Sequence, residues 1–160
     1  MKKEKGLLKN KFFIFLTISL FVIFIDQILK YIVAKKLPYG EPLKIMGNYI
    51  WITYIKNPFG VWGISFPKWF PYEVIALIII LILIFFLIFE KKKIYIIPYS
   101  LLFGGAIGNL IDRLRFKAVI DFIDIGISEN LRWPIFNIAD SSITIGIIIL
   151  FLISIFFDKR

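Results

Sequence analysis

Gly104-Gly105-Ala106-Ile107-Gly108-Asn109-Leu110-Ile111-Asp112-Arg113, running on to Val119-Ile120-Asp121-Phe122, is small and polar where its flanks are apolar. Glycines 104, 105 and 108 recur at helical spacing beside Asn109 and Asp112. One face of an otherwise apolar helix is therefore first small and then hydrogen-bonding. Such a face belongs against protein, because an amide or carboxylate in a membrane is costly unless partnered, and a partnered one marks a functional site by default.

The whole chain places that helix in a membrane. Of 160 residues 59% are apolar, 18 are Phe, and the mean hydropathy is +0.85, outside the range of globular domains. The net charge of +9 would suit nucleic acid, but the lysines cluster at the ends of apolar runs and read as topological anchors, so no nucleic-acid partner is expected. With no Cys and no His, disulfides, thiol nucleophiles, imidazole bases and the usual zinc and copper ligands fall away. Chemistry is left to carboxylates, Ser, Lys, Tyr or backbone, and neither metal nor cofactor is expected.

The pattern predicts an all-α polytopic membrane protein, one domain over residues 1–160, with transmembrane helices at about 12–34, 73–89, 94–114 and 138–157. The basic start, Lys2 to Lys11, resembles a signal peptide, but the apolar run is long and no small-residue cleavage site follows, so it reads as a retained helix. Those lysines, and Asp158-Lys159-Arg160 at the far end, put both termini in the cytoplasm, with a basic turn at Glu90-Lys91-Lys92-Lys93. Two extracytoplasmic segments remain, about 35–72 and 115–137. The first is punctuated by Pro and Gly, yet Lys44 to Tyr54 is rich in Ile, Tyr, Trp and Thr and predicts a small strand or hairpin resting on the bilayer. Trp62, Phe66, Trp69, Phe70 and Tyr72 read as an interfacial aromatic belt. The second helix, nearly pure Ile, Leu and Phe, faces lipid and carries no chemistry.

Helical rise puts Asp26 roughly 22 Å from Lys11, Asp112 about 27 Å from Ile94 and Asp140 about 26 Å from Phe157. Three helices thus bring Asp26, Lys30, Asn109, Asp112, Arg113, Asn137 and Asp140 to one level near the outer edge of the membrane. Asp26 and Lys30, at i and i+4, read as a structural pair, as does Asp112 with Arg113 or a neighbouring helix. Asn137 suits the N-cap of the fourth helix and could also offer its amide to a ligand. Asp121 lies nine residues past Asp112, on the opposite face of a continuous helix, so the two share a site only if the chain turns between them. Two readings of Asp121 and Asp140 stand side by side. In one they share a water, one pKa pushed up and the other carboxyl ionised. In the other they are separate rim carboxylates satisfied by Arg113, Arg115 or Arg132.

Four blocks in order resemble the lipoprotein signal peptidases, the type II signal peptidases of bacteria. They are Asp26-Gln27-x-x-Lys30; Asn57 ahead of Gly60-Val61-Trp62-Gly63; the Gly104 to Arg113 stretch with Val119-x-Asp121-Phe122; and Phe136-Asn137-x-Ala139-Asp140. The resemblance covers residues 26 to 140. It implies an intramembrane aspartyl protease that cuts the signal peptide from diacylglyceryl-modified prolipoproteins, before the lipidated cysteine, near the outer leaflet of the bacterial inner membrane. It implies Asp121 and Asp140 as the catalytic dyad, with Asp26, Lys30, Asn57, Asn109, Asp112, Arg113, Asn137 and Ala139 binding substrate or supporting the site. It also implies four transmembrane helices, a small extracytoplasmic β-sheet and a crossover arm. Two positions depart from the family pattern: Phe59, after Pro58, where Gly is usual, and Lys117 where Gly is common.

The expected partners are the prolipoprotein signal peptide with its diacylglyceryl cysteine and membrane lipids, around a monomer. Two rival functions fit parts of the pattern. One is a Ser/Lys membrane peptidase using Ser141 or Ser142 with Lys30 as base; the other is a small proton-coupled carrier. A purely structural membrane subunit gives no reason for the convergent polar level.

Overall fold

The computed structural model describes residues 2–59, 67, 70–90 and 92–157, with side chains from residue 10 onward. Four helices are long and apolar enough to cross a membrane: α1 (Lys2–Lys36), α2 (Tyr72–Phe89), α3 (Ile96–Phe116) and α4 (Ile138–Phe156). The protein is a polytopic α-helical membrane protein carrying a small antiparallel sheet. Helix α3 is central. Half of its spanning stretch is buried, against 22%, 17% and 22% for the other three, and it packs on all of them.

The glycines of α3 explain that position. A Cβ on Gly104 would lie 2.9 Å from Cβ of Val22 in α1, and one on Gly105 would lie 2.5 Å from the backbone oxygen of Ala139 in α4. A Cβ on Gly108 would lie 2.8 Å from Oδ2 of Asp26. The small face is therefore consumed by two internal helix contacts, as close backbone approach in membranes requires. Ser19 Oγ adds a hydrogen bond to the Ser100 carbonyl across the α1–α3 seam.

Helix α2 is peripheral, burying Ile80, Leu83 and Leu87 along one narrow stripe and leaving the rest half-buried or exposed. Lys11, buried in α1, donates to the carbonyls of Leu87 and Glu90 and so satisfies the C-terminus of α2. A single 3₁₀ turn, Lys93–Tyr95, leads into α3.

At the end of the bundle where α1 and α3 finish and α4 begins, three strands form the sheet: β1 (Pro42–Met46), β2 (Ile50–Asn57) and β3 (Val119–Ile125), in the order β1-β2-β3, all antiparallel. The predicted hairpin is β1–β2, and it reaches as far as Asn57, at the strand's end. The second of the predicted extracytoplasmic segments, which by its sequence is only a connection, has β3 as its first part. Between α3 and β3 the chain reverses through Lys117, whose left-handed backbone (φ 56°, ψ 19°) caps α3. The residues 133–136 then run back along β3, with the Trp133 N–H donating to Ile125 O and the Phe136 N–H to Ile123 O. Of the aromatic belt, Trp62, Phe66 and Trp69 lie outside the described residues, as do Lys91, the terminal Asp158-Lys159-Arg160 and most of the β2–α2 connection available to a crossover arm; Phe70 and Tyr72 pack edge to face at 4.8 Å.

Candidate active site

The chain delivers its polar residues to one place. On α1, Asp26 and Lys30 are one turn apart, and Lys30 Nζ lies 2.8 Å from Oδ2 of Asp26 and 2.9 Å from Oδ2 of Asp112 on α3. Its third donor bond goes to Oδ1 of Asn109 at 3.0 Å, so the ammonium's three N–H groups are all used. Lys30, Asp26 and Asp112 are at most 2% exposed. Burial of this kind is tolerated because every charge is paired and hydrogen-bonded. The spare oxygens are also filled. Asp26 Oδ1 accepts the Ala139 N–H at 2.9 Å and Asp112 Oδ1 accepts Nε2 of Gln27 at 3.0 Å, while Asp112 Oδ2, already on Lys30, also accepts the Ile120 N–H at 3.1 Å. This trio ties α1, α3, α4 and β3 together.

Asn109 carries the network onward. Its Nδ2 donates to Oδ1 of Asp140 at 2.8 Å, and its Oδ1 accepts from Nδ2 of Asn137 at 3.1 Å. Asn137 is the N-cap of α4, its Oδ1 accepting the Asp140 N–H at 2.8 Å, while its Nδ2 donates to Oδ1 of Asp121 at 2.6 Å. Capping and amide donation, alternatives at the level of sequence, are both made by the same side chain.

Asp121 sits on β3, past the Lys117 reversal that its distance from Asp112 demanded. Its second oxygen accepts Nδ2 of Asn57 at 3.0 Å, and Asn57 is held by accepting the Phe59 N–H at 2.9 Å. The Phe59 carbonyl accepts Nη2 of Arg113 at 2.7 Å, and the Arg113 guanidinium lies over the Tyr72 ring. The backbone at Pro58-Phe59 thus forms an Asx-type turn without glycine. The Gly60-Val61-Trp62-Gly63 part of that block lies outside the described residues.

Amides, rather than arginines, meet the two outer carboxyls. Arg113 is directed at Phe59 and Arg132 at Asp124. Burial pushes the Asp121 carboxyl up to about 7, and the charge of nearby Asp140 pushes the same way, against the Asn57 and Asn137 amides and Lys30. Four carboxyls around one buried ammonium favour retention of a proton.

Asp140 opens to a groove of about 360 Å³ lined by Trp133, Phe136, Asp140, Ser141, Thr144 and Ile145. Its hydroxyls are self-satisfied, Ser141 Oγ on the Asn137 carbonyl and Thr144 Oγ1 on that of Asp140, so the groove presents an apolar wall with one carboxyl at its end. Sequence reasoning gave no role to Gln27, which donates to Oδ1 of Asp112 at 3.0 Å and to the Gly108 carbonyl, although it stands inside the Asp26-Gln27-x-x-Lys30 block. It also missed Asp124, whose buried carboxylate accepts from Thr53 and Arg132; nothing in the spacing marked that pair.

Two carboxyls from separate elements, joined by amides in the mouth of a transmembrane bundle, define a membrane-embedded protein with a polar, acid-bearing site. The Signal peptidase (SPase) II family model matches residues 18–157. A lipoprotein signal peptidase of Staphylococcus carnosus (strain TM300) is 36% identical over 157 residues, covering 96% of this chain and 98% of that protein. A bacterial membrane enzyme structure solved by the in meso method at 2.3 Å superposes with a TM-score of 0.81 at 36% identity, covering 91% of this chain and 92% of that one. Another, at 1.9 Å, gives a TM-score of 0.79 at 37% identity, covering 91% and 94%. The chain belongs to the signal peptidase II family, and is accordingly a membrane protease.

Proposed function

We propose that the protein is an intramembrane aspartyl endopeptidase with Asp121 and Asp140 as its dyad. Family membership makes its reaction the removal of signal peptides from prolipoproteins; the substrate carries a diacylglyceryl-modified cysteine and the bond cut lies just before it. One observation carries the reading: a single side chain, Asn137, donates to Asp121 and accepts from the backbone of Asp140.

Asp121, 1% exposed, is the costlier of the two to ionise and holds the shared proton. Asp140, half-buried and open to the groove, is the ionised partner. It takes a proton from a water whose oxygen attacks the scissile carbonyl, while Asp121 donates to the carbonyl oxygen. Collapse of the tetrahedral intermediate transfers a proton to the leaving amine and restores a dyad with one proton. No metal or cofactor enters this scheme. Asp26, Lys30 and Asp112 hold the scaffold; Asn57, Asn109 and Asn137 orient the dyad; Ala139 supplies the small side chain that lets α4 approach Gly108; Arg113 holds the backbone beyond Asn57.

The lysines at the start of α1 support cytoplasmic termini, with the site at the outer leaflet of the bacterial inner membrane and the substrate's acyl chains left among membrane lipids. The glycine face is spent within the chain, so a monomer suffices. A Ser/Lys mechanism is disfavoured because the Ser141 and Ser142 hydroxyls donate to their own helix and all three Lys30 donors are engaged.

Purified full-length protein incubated with a diacylglyceryl-modified prolipoprotein should release the signal peptide, read by mass spectrometry. Asp121→Asn and Asp140→Asn should each abolish release while remaining folded. Cleavage by either variant overturns the dyad.

A further inference from the structure

Beyond the dyad, the sheet holds a second buried polar cluster. Arg132 donates through Nε to Oδ1 of Asp124 at 2.5 Å, through Nη2 to the Asp124 carbonyl at 2.9 Å and through Nη1 to the Asn48 carbonyl at 2.8 Å. Its guanidinium stacks on Trp51, 3.6 Å from the ring centroid, and Trp51 is the β2 residue paired with Asp124. The other Asp124 oxygen accepts Thr53 Oγ1 at 2.8 Å. Gly126 makes room: a Cβ there would fall 2.8 Å from both Cγ and Nη1 of Arg132.

We propose that Arg132 is a positioning residue for the cleavage reaction, pinning the far end of the hairpin whose two stems carry Asp121 and the Asn137–Asp140 turn. The outgoing stem is β3 and the return stem is 133–136. Near the dyad the stems are tied by the Phe122 and Ile123 N–H groups donating to the Phe136 carbonyl, at 3.0 and 2.7 Å. At the other end the Gly126–Arg132 bridge and the Arg132 fork close the hairpin against β2. Asp121 lies on one stem and Asn137 immediately follows the other, so the Asn137–Asp121 bond inherits the alignment of the stems. A planar fork reaching two carbonyls and a carboxylate at once fixes that alignment as a point charge does not.

The inference rests on the aspartyl reading. It is tested in the reconstituted full-length protein with the lipidated prolipoprotein, comparing Arg132→Lys, Gly126→Ala and Asp121→Asn. Arg132→Lys keeps a cation facing Asp124 but loses the fork; Gly126→Ala keeps both partners but crowds the guanidinium and the Leu131 carbonyl, 2.8 Å from the added Cβ, and so shifts the far end of the hairpin. Each should lower kcat about tenfold to a hundredfold with KM within about twofold, because alignment of the reacting groups is lost and substrate binding is not. A fall in thermal stability with kcat unchanged in either folded variant makes the cluster merely structural and overturns the proposal. Cleavage by Asp121→Asn overturns the dyad reading instead, whatever the other two variants do.

Discussion

Asn137 donates to Asp121 across 2.6 Å, joining the cap of α4 to the middle of β3. One side chain thus does two separable jobs. Serine caps helices nearly as well as asparagine but has no amide to reach Asp121. Asn137→Ser should keep the cap and lose only the stability carried by the buried amide's bonds, and should lower kcat at least about tenfold, because the amide no longer stabilises the carboxylate that Asp121 becomes on giving up its proton. Asn137→Ala should show the same kcat loss and also lose the cap, a further cost of about 1 kcal/mol of stability. Thermal unfolding in detergent with single-turnover cleavage separates the two effects. Equal destabilisation by both substitutions would show that the cap is not what the side chain contributes.

The raised Asp121 carboxyl makes both activity and stability depend on pH. In the proposed mechanism Asp121 works protonated, so kcat should fall on the alkaline side with a midpoint near the value of about 7 set by burial and Asp140. The sign for stability follows from proton uptake. The folded state holds a proton between about pH 4, where an unfolded aspartate titrates, and about pH 7. Stability is therefore greatest below that window and declines through it, by an amount on the order of 4 kcal/mol for this group. Asp121→Asn removes the group, so the variant should gain on wild type from pH 4 to 7 and be the more stable protein at pH 8. Denaturation midpoints taken across that range decide it, and parallel curves for the two proteins would refute the assignment.

Gly105 lies in a tight contact between α3 and the first turn of α4. Its absent Cβ would meet a backbone oxygen, that of Ala139, at 2.5 Å and Ile143 Cγ1 at 2.7 Å, so relief requires moving the first turn of α4. Gly105→Ala should cost about 1–3 kcal/mol, the range for overpacking, and should depress cleavage more than stability because Asn137 and Asp140 ride on the displaced turn. An active variant of wild-type stability would mean that the helices separate freely at this seam.

Hydropathy, the Gly104-Gly105-Gly108 spacing and the i, i+4 pair Asp26–Lys30 were enough to read the bundle and the inner half of the polar network, because each depends on local periodicity. Strand β3 was harder. Val119, Ile120, Asp121, Phe122 and Asp124 are all buried, so the alternation that marks a one-sided strand is absent, and the segment resembles a connection until β2 is placed beside it. The Asp124–Arg132 clamp was invisible for a related reason. It joins residues across a turn and against a third strand, a relation that no spacing encodes. The effect of Phe59 became clear only from backbone geometry, since its N–H and carbonyl serve Asn57 and Arg113 whatever its side chain.

Lys117 isolates the other departure. It is a non-glycine residue at φ 56°, closing α3 by donating its N–H to the Arg113 carbonyl at 2.9 Å. A left-handed residue with a Cβ costs roughly 1–2 kcal/mol, and glycine does not incur that cost. The lysine's own compensation is small: its ion pair with Glu73 spans 3.3 Å with the lysine side chain 76% exposed, a setting in which pairs contribute little. Lys117→Gly should therefore raise stability by about 1 kcal/mol, or about 2–4 °C in melting temperature for a chain of this size, with cleavage unchanged. Lys117→Ala supplies the control, because it deletes the same ion pair while keeping the Cβ, and it should show no gain. If alanine stabilised as much as glycine, the backbone conformation would not be the source, and the Lys117 side chain itself would be the destabilising element.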